Sequence, residues 1–545
     1  MKTLSFYIGI FVFLLCASSV RAASEAEFRV LSKHYTLHAD GSQELRVKKE
    51  LTLYTHAAMN GLYGETFITY DPQYQELKIH ESYTRQKDGT IVKTPDNAFV
   101  EVLPSSAKDA PAYNRLKEMV VVHTGLELGA TIVLDYSIVS RAGYLPALDV
   151  CCPVRELSPI KEFTCTVEVP SGVELHAELL NSSVRPQKTD TGNGKVCWQW
   201  KLKNVEPRPY AYPSSYIKGM STVQQVASGM MPVVVASTYP SYTDALKNLR
   251  EQFALGDEAA VKAKAVELTK DAGNDRQKKR DAIGQYMMLM YSRLATVGVS
   301  LQEAGYRLRP ASEVIRSGYG TQAELVNLDV ALQRAAGLNA EVVVCRLQSD
   351  AMGLSGIVSV FAKSELMASK VPQQGLEEAA LKDYMTVTDL QGNPVELTSS
   401  PSSSITSYTF KADDKRIRTL PNGYRVATAE GRNPAFGIFY SYATNTSVPA
   451  NILLPQKYNH TVETTVELPE GMTWMKKTDK EVTNAFGKIA FKYAEADGKV
   501  KVTCTFVIDK LLVTPADYKE FYALMSELKD ENNYTLVFIS PDSMD

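Results

Sequence analysis

The sequence predicts an α+β multidomain protein: an N-terminal antiparallel β-sandwich, a central α+β domain and a small C-terminal β-sandwich. Three observations predict it. The 545 residues exceed one ordinary domain, and a composition of 44% hydrophobic and 22% charged residues supports packed cores. Apolar residues alternate with a period of two up to about residue 225 and again beyond about residue 430. Between these regions, from about residue 240, the spacing is helical.

The first residues, "MKTLSFYIGIFVFLLCASSVRAASEAEF", carry the pattern of a secretory leader. Lys2 supplies the positive start, and Leu4 to Leu15 is an apolar run too short to span a bilayer comfortably. Val20-Arg21-Ala22 places small residues at −3 and −1, so residues 1–22 are expected to be removed by cleavage after Ala22. A lipidated Cys16 is the rival reading, and it meets Leu15 where a small residue is needed. No later apolar run reaches membrane-spanning length. The chain is therefore expected to be exported, to the periplasm or the outer envelope. The formal net charge of −3 becomes −5 when Lys2 and Arg21 leave with the leader. No basic block is present, which argues against nucleic acid as a partner.

Residues 23–225 are read as the β-sandwich. In "ELRVKKELTLYT", Leu45, Val47, Leu51 and Leu53 share one parity. "ADGS" (39–42) and "KDGT" (87–90) are hairpin turns, since Asp-Gly accepts positive φ. In "KVCWQWKLKNV", Val196, Trp198, Trp200 and Leu202 fall on one face. Cys197 falls on the other, while Cys165 sits with Phe163, Val167 and Val169. A bridge between Cys165 and Cys197 is thus disfavoured. If a disulfide forms, Cys197 is expected to pair with Cys151 or Cys152.

The central domain is read over 226–397. "SYTDALKNLREQF", "DEAAVKAKAVELTKDAG" and "NDRQKKRDAIGQYMMLMYSRL" are helical, with Ile283, Met287, Met290 and Leu294 on one stripe of the last. In "RSGYGTQAELVNLDVALQRAAG" (316–337), a glycine turn enters a helix whose Leu325, Leu328, Leu332 and Ala335 face a core. Thr321 stands where an N-cap belongs. "AEVVVCRL" and "DYMTVTDLQGN" follow as strands, the second ending in a turn. Residues 398–429, opening on "TSSPSSSITS", are read as a connector. Residues 430–545 are read as the C-terminal β domain, with "HTVETTVELPEG" and "KVKVTCTFVIDK" as strands and a helix, "PADYKEFYALMSELKD", before a last strand, "YTLVFI".

The stretch "LRPASEVIRSGYGTQAELVNLDVALQRAAGLNAEVVV" resembles the transglutaminase-like, papain-related fold, over roughly 240–395. Family members typically carry Gly-Asp-Cys at this turn, then a helix with an Arg-Ala-Ala-Gly-like tail, then a strand. Laying "GYG" (318–320) and "RAAG" (334–337) on that pattern puts the nucleophile position at Gln322 and the flanking aspartate position at Thr321. Asp389 of "VTDLQGN" falls at the third triad position, where turn chemistry is the competing role. The flanks resemble the β domains that precede and follow transglutaminase-like domains in exported bacterial proteins. "DGSQELRVKKELTLYT", "TRQKDGTIVKTPDNAFVE" and "GLELGATIVLDYSI" carry the first likeness, and "VELPEGM", "VTNAFGKIAFKY" and "YKEFYALMSEL" the second.

A cysteine suits that helix start because the partial positive charge there lowers a thiol pKa, and a histidine held by Asp or Asn completes the activation. Gln322 has no ionisable group. The histidines are His34, His38, His56, His80, His123, His176 and His460, so none lies between 177 and 459. Cys345 sits in an apolar strand, where a buried inert thiol is the usual role. Thr321 or Ser317 could offer a hydroxyl but would need a base. No metal or cofactor motif is present, so none is expected.

Three readings follow. The first is a non-catalytic envelope protein that binds or scaffolds a peptide, glycan or protein partner, with Thr321, Gln322 and Asp389 as degenerate site positions. The second is an acyl-transfer or peptide-hydrolysing enzyme that uses a substitute nucleophile or a histidine from a flanking domain. The third is a structural spacer with no ligand.

Overall fold

The computed structural model describes residues 24–208, 231–291, 295–364, 385–395, 403–410, 417–421, 423–429, 452–454, 458–510, 512–514 and 516–541. Residues 1–22, read above as a leader and including Cys16, and Leu294 lie outside the described residues. None of the described helices is long and apolar enough to cross a membrane. The chain divides into two compact units: residues up to Arg208 together with Val234–Thr238, and the remainder.

The N-terminal unit is built on an eight-stranded sheet, in the order Gln187–Asp190, Lys195–Val205, Ile160–Pro170, Ala26–Leu37, Gln43–Leu53, Thr131–Ser140, Gln75–Arg85 and Ile91–Lys93. Two three-stranded sheets cover one of its faces. His176–Leu180, Val233–Ser237 and Asp149–Pro153 form one; Glu65–Tyr70, Lys117–Val122 and Phe99–Val102 form the other. Alternation decides which side chains go inward. Val47, Leu51, Phe163, Val167 and Trp200 are buried against the first small sheet, and Leu134 packs with Ile68 and Val121 of the second. Both Asp-Gly turns form: His38 N donates to Ser42 O and Gln86 N to Thr90 O, with Gly41 and Gly89 at positive φ.

Three details correct the sequence reading. The large sheet is mixed, because Ala26–Leu37 runs parallel to Ile160–Pro170. More than a hundred residues separate the two strands, ample for the crossover that a parallel pair needs. Val233–Ser237, expected in the central domain, is the middle strand of an N-terminal sheet and is buried throughout. Cys197 lies on the outer face opposite Glu168 and Cys152 is in the core, and all six described cysteines are free thiols, so Cys197 is bridged to neither Cys151 nor Cys152.

The second unit holds the central elements and the C-terminal sheets. Its first helices are α1 (Tyr242–Arg250), α2 (Glu258–Thr269), α3 (Arg276–Met290), α4 (Ala311–Ser317) and α5 (Gln322–Ala335). Ser241, Asp257 and Asp275 cap α1, α2 and α3 by accepting backbone N–H bonds. Ile283, Met287 and Met290 are buried as their stripe predicts. An antiparallel sheet of Ile357–Ser364, Ala340–Leu347 and Met385–Asp389 packs on α5.

The C-terminal part has a five-stranded sheet (Ser403–Phe410, Tyr458–Glu467, Lys499–Ile508, Gly487–Ala496, Lys480–Asn484) and a four-stranded sheet (Ile417–Thr419, Arg425–Thr428, Thr535–Ile539, Thr473–Trp474). Helix α6 (Tyr518–Lys529) buries Tyr518, Phe521, Leu524, Met525 and Leu528 in their shared core. Residues 403–410, 417–419 and 425–428 are thus strands rather than the connector read over 398–429. Ser403–Phe410 gains its place by parallel pairing with Tyr458–Glu467, a partner distant in sequence.

Candidate functional site

Helix α5 begins at the glycine turn singled out in the sequence. Gly318 ends α4 in the left-handed region, φ 73°, where a side chain would be strained. Gly320–Thr321 then pairs in parallel with Thr296–Val297, which fixes the chain as it enters α5. Thr321 is the N-cap, as expected. Its hydroxyl accepts from Glu324 N at 3.4 Å, and the Glu324 carboxylate accepts from Thr321 N at 2.9 Å.

Glu324 has a second partner that the sequence does not announce. Arg309 donates to it from backbone N (2.8 Å), Nε (3.1 Å) and Nη2 (2.9 Å). The same guanidinium donates to Tyr319 O and Ser317 Oγ and lies 4.6 Å from the Tyr319 ring centroid. Glu324 is 0% exposed and Arg309 15%. Arg309, Ser317, Thr321 and Glu324 are therefore committed to holding the shape of the turn. Ser317 Oγ accepts from Arg309 and bonds Tyr319 O, and Thr321 is buried beneath the cap.

Gln322 occupies the first helical position, exposed, and its side chain has no hydrogen-bond partner among the described residues. Asp389 is a turn residue. Its carboxylate accepts from Gln391 N, Asn393 N and Asn393 Nδ2, each at 2.8 Å. Slight burial works against its charge, and these bonds outweigh it and hold its carboxyl below the usual range. No hydrogen bond joins it to Thr321 or Gln322. Six histidines lie in the N-terminal unit, and His460 lies in the Tyr458–Glu467 strand beside the Tyr458 ring. His80 touches a serine hydroxyl, Ser137 Oγ at 2.8 Å, but that hydroxyl donates to Glu44 and Ser137 is fully buried. Cys345 is buried, and burial alone pushes its thiol up to about 12.

A cavity of about 1090 Å³ lies along α5, lined on that helix by residues from Asn327 onward and not by Gln322. Its apolar lining includes Phe253, Leu255, Val261, Val330, Val342 and Leu390. Arg250, Lys262 and Arg334 contribute cations, and Glu258 and Glu341 carboxylates, with Glu341 paired to Lys363 at 3.2 Å. The Asp389 turn reaches it through Leu390 and Gln391, and Asn327 of α5 enters it while donating to Ala254 O at 2.8 Å.

Helical spacing identified the leucines of α5 but not its buried polar residues. Gln333 donates to Asp329 Oδ1 at 2.7 Å, with both side chains buried. Burial raises the Asp329 carboxyl above its ordinary value, and Gln333 and Arg280 oppose that rise. A polar residue three or four positions from a leucine on a helix buried all round was the available signal. Among the described residues, no group of three or more His, Cys, Asp or Glu could hold a metal ion.

The architecture defines a class of multidomain β-rich proteins with a helical centre. Residues 39–209 match DUF3857 and residues 433–538 match DUF3858, each described as a domain of unknown function with a solved structure. A crystal structure of a "putative protease" from Parabacteroides distasonis is 37% identical to this chain, with a TM-score of 0.79. The match covers 94% of this chain and 99% of that one. The chain belongs to the family of that protein. Aminopeptidase A of Legionella pneumophila in complex with aspartic acid matches at 6% identity and TM-score 0.23, over 40% of this chain and 22% of that one. An M1 zinc metallopeptidase of Deinococcus radiodurans matches at 11% and 0.19, over 39% and 42%. Likeness at those scores carries no argument. No curated protein matches the chain.

Proposed function

We propose that this chain is a non-catalytic, transglutaminase-like protein of the cell envelope that holds a peptide, glycan or protein partner. One observation carries the reading: the exposed first position of α5, where the class would place its thiolate, is Gln322, and no histidine occurs between 177 and 459. An amide neither ionises nor attacks an acyl carbon under these conditions, and no imidazole from the central strands is available to activate a substitute. The leader pattern, with cleavage near Ala22, supports export to the periplasm or outer envelope.

The cavity along α5 supports a binding role. Its apolar lining suits a side chain, and Arg250, Lys262 and Arg334 suit a carboxylate, so an acidic peptide segment fits best among the three partner classes. The test is fluorescence anisotropy with labelled acidic peptides on the wild type and on an Arg250→Glu/Lys262→Glu variant. Reversing two cations is expected to weaken binding by tenfold or more, as an order of magnitude. Equal binding by the variant would remove the cavity from the account.

The description of the Parabacteroides distasonis relative supports a second reading, an acyl-transfer or peptide-hydrolysing enzyme with a substitute nucleophile or a histidine from a flanking domain. Thr321 and Ser317 are the candidate nucleophiles. Their present bonds to Glu324, Arg309 and Tyr319 favour a structural role for both.

A further inference from the structure

The two middle strands of the large N-terminal sheet each break their inward apolar face once, and with the same residue. On Ala26–Leu37 the inward parity reads Leu31, Lys33, Tyr35, and on Gln43–Leu53 it reads Val47, Lys49, Leu51. In the register Lys33 stands beside Cys165 and Lys49 beside Leu134, both core residues. The pairs Lys33–Val47 and Leu31–Lys49 make the two lysines diagonal neighbours. Lysine is rarely buried unless it is paired. Lys33 is paired, with Glu156 just past the Asp149–Pro153 strand of one small sheet, at 3.3 Å. Lys49 leans to the other small sheet. It donates to Thr66 Oγ1 at 2.7 Å and has no carboxylate within ion-pair distance among the described residues. Residues 1–23 and 209–230, the parts of the first 238 that lie outside the described residues, contain no Asp or Glu. The seam between the small sheets thus holds one carboxylate for two ammonium groups.

The hydrogen bonds beyond Lys49 also lack an acceptor. Thr66 Oγ1 lies 2.8 Å from His123 Nε2. With Lys49 donating to that oxygen, the hydroxyl hydrogen goes to Nε2, and the imidazole carries its proton on Nδ1. The opposite tautomer would leave both the Thr66 hydrogen and Nδ1 unpaired. Burial, then the charge of Lys49, holds His123 down to about 3, so the ring is neutral at pH 7. Its Nδ1 is buried without a partner, in a residue 5% exposed. Cation and N–H donor want the same thing, an acceptor that carries negative charge.

We propose that the seam between the two small sheets is a binding site for a ligand carboxylate, which accepts from Lys49 Nζ and His123 Nδ1. One negative charge balances the seam, which selects a carboxylate over a phosphate monoester carrying close to two at pH 7. The entrance is at the Lys33–Glu156 pair, whose side chains are 19% and 36% exposed, and Lys49 itself is half-buried rather than sealed. Burial draws the Lys49 amine down to about 8 against the pull of Glu156, the direction expected of a cation without its counter-ion. The site belongs to the N-terminal unit and does not depend on the α5 cavity.

The test follows the imidazole nitrogen resonances of the full chain labelled at histidine, with His123 assigned by the signal lost in His123→Gln. Acetate, its neutral analogue acetamide, methyl phosphate and a glutamate-containing tripeptide amide are titrated at constant ionic strength. His123 is expected in its Nδ1–H form, and its signals should shift saturably with acetate and not with acetamide. For so small a ligand the midpoint should be on the order of millimolar. Lys49→Met and Lys49→Gln keep the length of the side chain and remove the charge. Whichever of them melts cooperatively should bind acetate at least about tenfold more weakly. Arg250→Glu/Lys262→Glu should respond like the wild type, so a failure of the α5 cavity reading leaves this one standing. A response to acetate alone assigns a free organic acid, and a response to the tripeptide as well assigns an acidic side chain; both support the site. A His123 proton on Nε2, no saturable shift with acetate, equal binding by the Lys49 variants, or tighter binding of methyl phosphate overturns the proposal.

Discussion

Replacing Glu324 by alanine removes one carboxylate that answers four donors at the head of α5. Three come from Arg309 and one from Thr321 N, at 2.8 to 3.1 Å. Because Glu324 is 0% and Arg309 15% exposed, water cannot replace the lost partner. Breaking such a buried pair costs about 3–5 kcal/mol, mostly through the charge left behind. Part of the loss belongs to the cap, about 1 kcal/mol where a cap is removed from a helix. Removing the stranded cation as well, in Arg309→Met/Glu324→Ala, should restore part of the loss. It should not restore all of it, since the backbone N–H groups of Arg309 and Thr321 still lack an acceptor, at about 1–3 kcal/mol for each buried donor. Urea unfolding followed by circular dichroism measures both variants. A Glu324→Ala loss below about 1 kcal/mol, or a double variant less stable than the single one, would refute the reasoning.

Three further outcomes follow from the same turn and from the buried polar groups. Gln322→Cys should create a thiol that maleimide labels, with stability within about 0.5 kcal/mol of wild type at this exposed position and no acyl turnover, since no histidine is supplied; turnover by the variant would show that a base is within reach. Asp329, whose carboxyl is raised by burial, contributes stability when protonated and loses that contribution as pH rises through its raised value. Asp329→Asn should therefore raise the melting temperature at pH 7 and leave it nearly unchanged at pH 4, and a lower value at pH 7 would count against the assignment. His123, which bonds Thr66 Oγ1 at 2.8 Å, is held down to about 3 by burial and by Lys49, so its stabilising contribution is complete above the ordinary value of 6.5 and is lost as pH falls from there toward 3. His123→Gln should flatten the acid side of a melting-temperature profile, and a profile of unchanged slope would exclude the residue.

Period and turn chemistry made the separate elements legible. Leu45, Val47 and Leu51, the two Asp-Gly hairpins, the Ile283–Met287–Met290 stripe and α6 all stand where local pattern puts them. Partners far apart in sequence were not legible. The parallel pairing of Ala26–Leu37 with Ile160–Pro170 leaves no local mark, and neither does the recruitment of Val233–Ser237 or Ser403–Phe410 into distant sheets. A short apolar run such as "VVVAS" is buried on both faces and shows no alternation to read. At the site, Thr321 and Glu324 show the spacing of a capping box, so half of that arrangement was written in the chain. The other half, Arg309 folding back fifteen residues to the same carboxylate, exists only in three dimensions.

The central claim is that the α5 turn keeps its shape and has lost its chemistry. The measurement that bears on it most directly is turnover by the wild-type chain across a panel of glutamine-donor and peptide substrates, with Thr321→Ala and single replacements of each histidine alongside. The account predicts no release of product above the substrate blank for any of these proteins. Turnover by the wild type that disappears in Thr321→Ala, or in the replacement of one histidine, would contradict it and establish an enzyme whose site has been rebuilt from other residues.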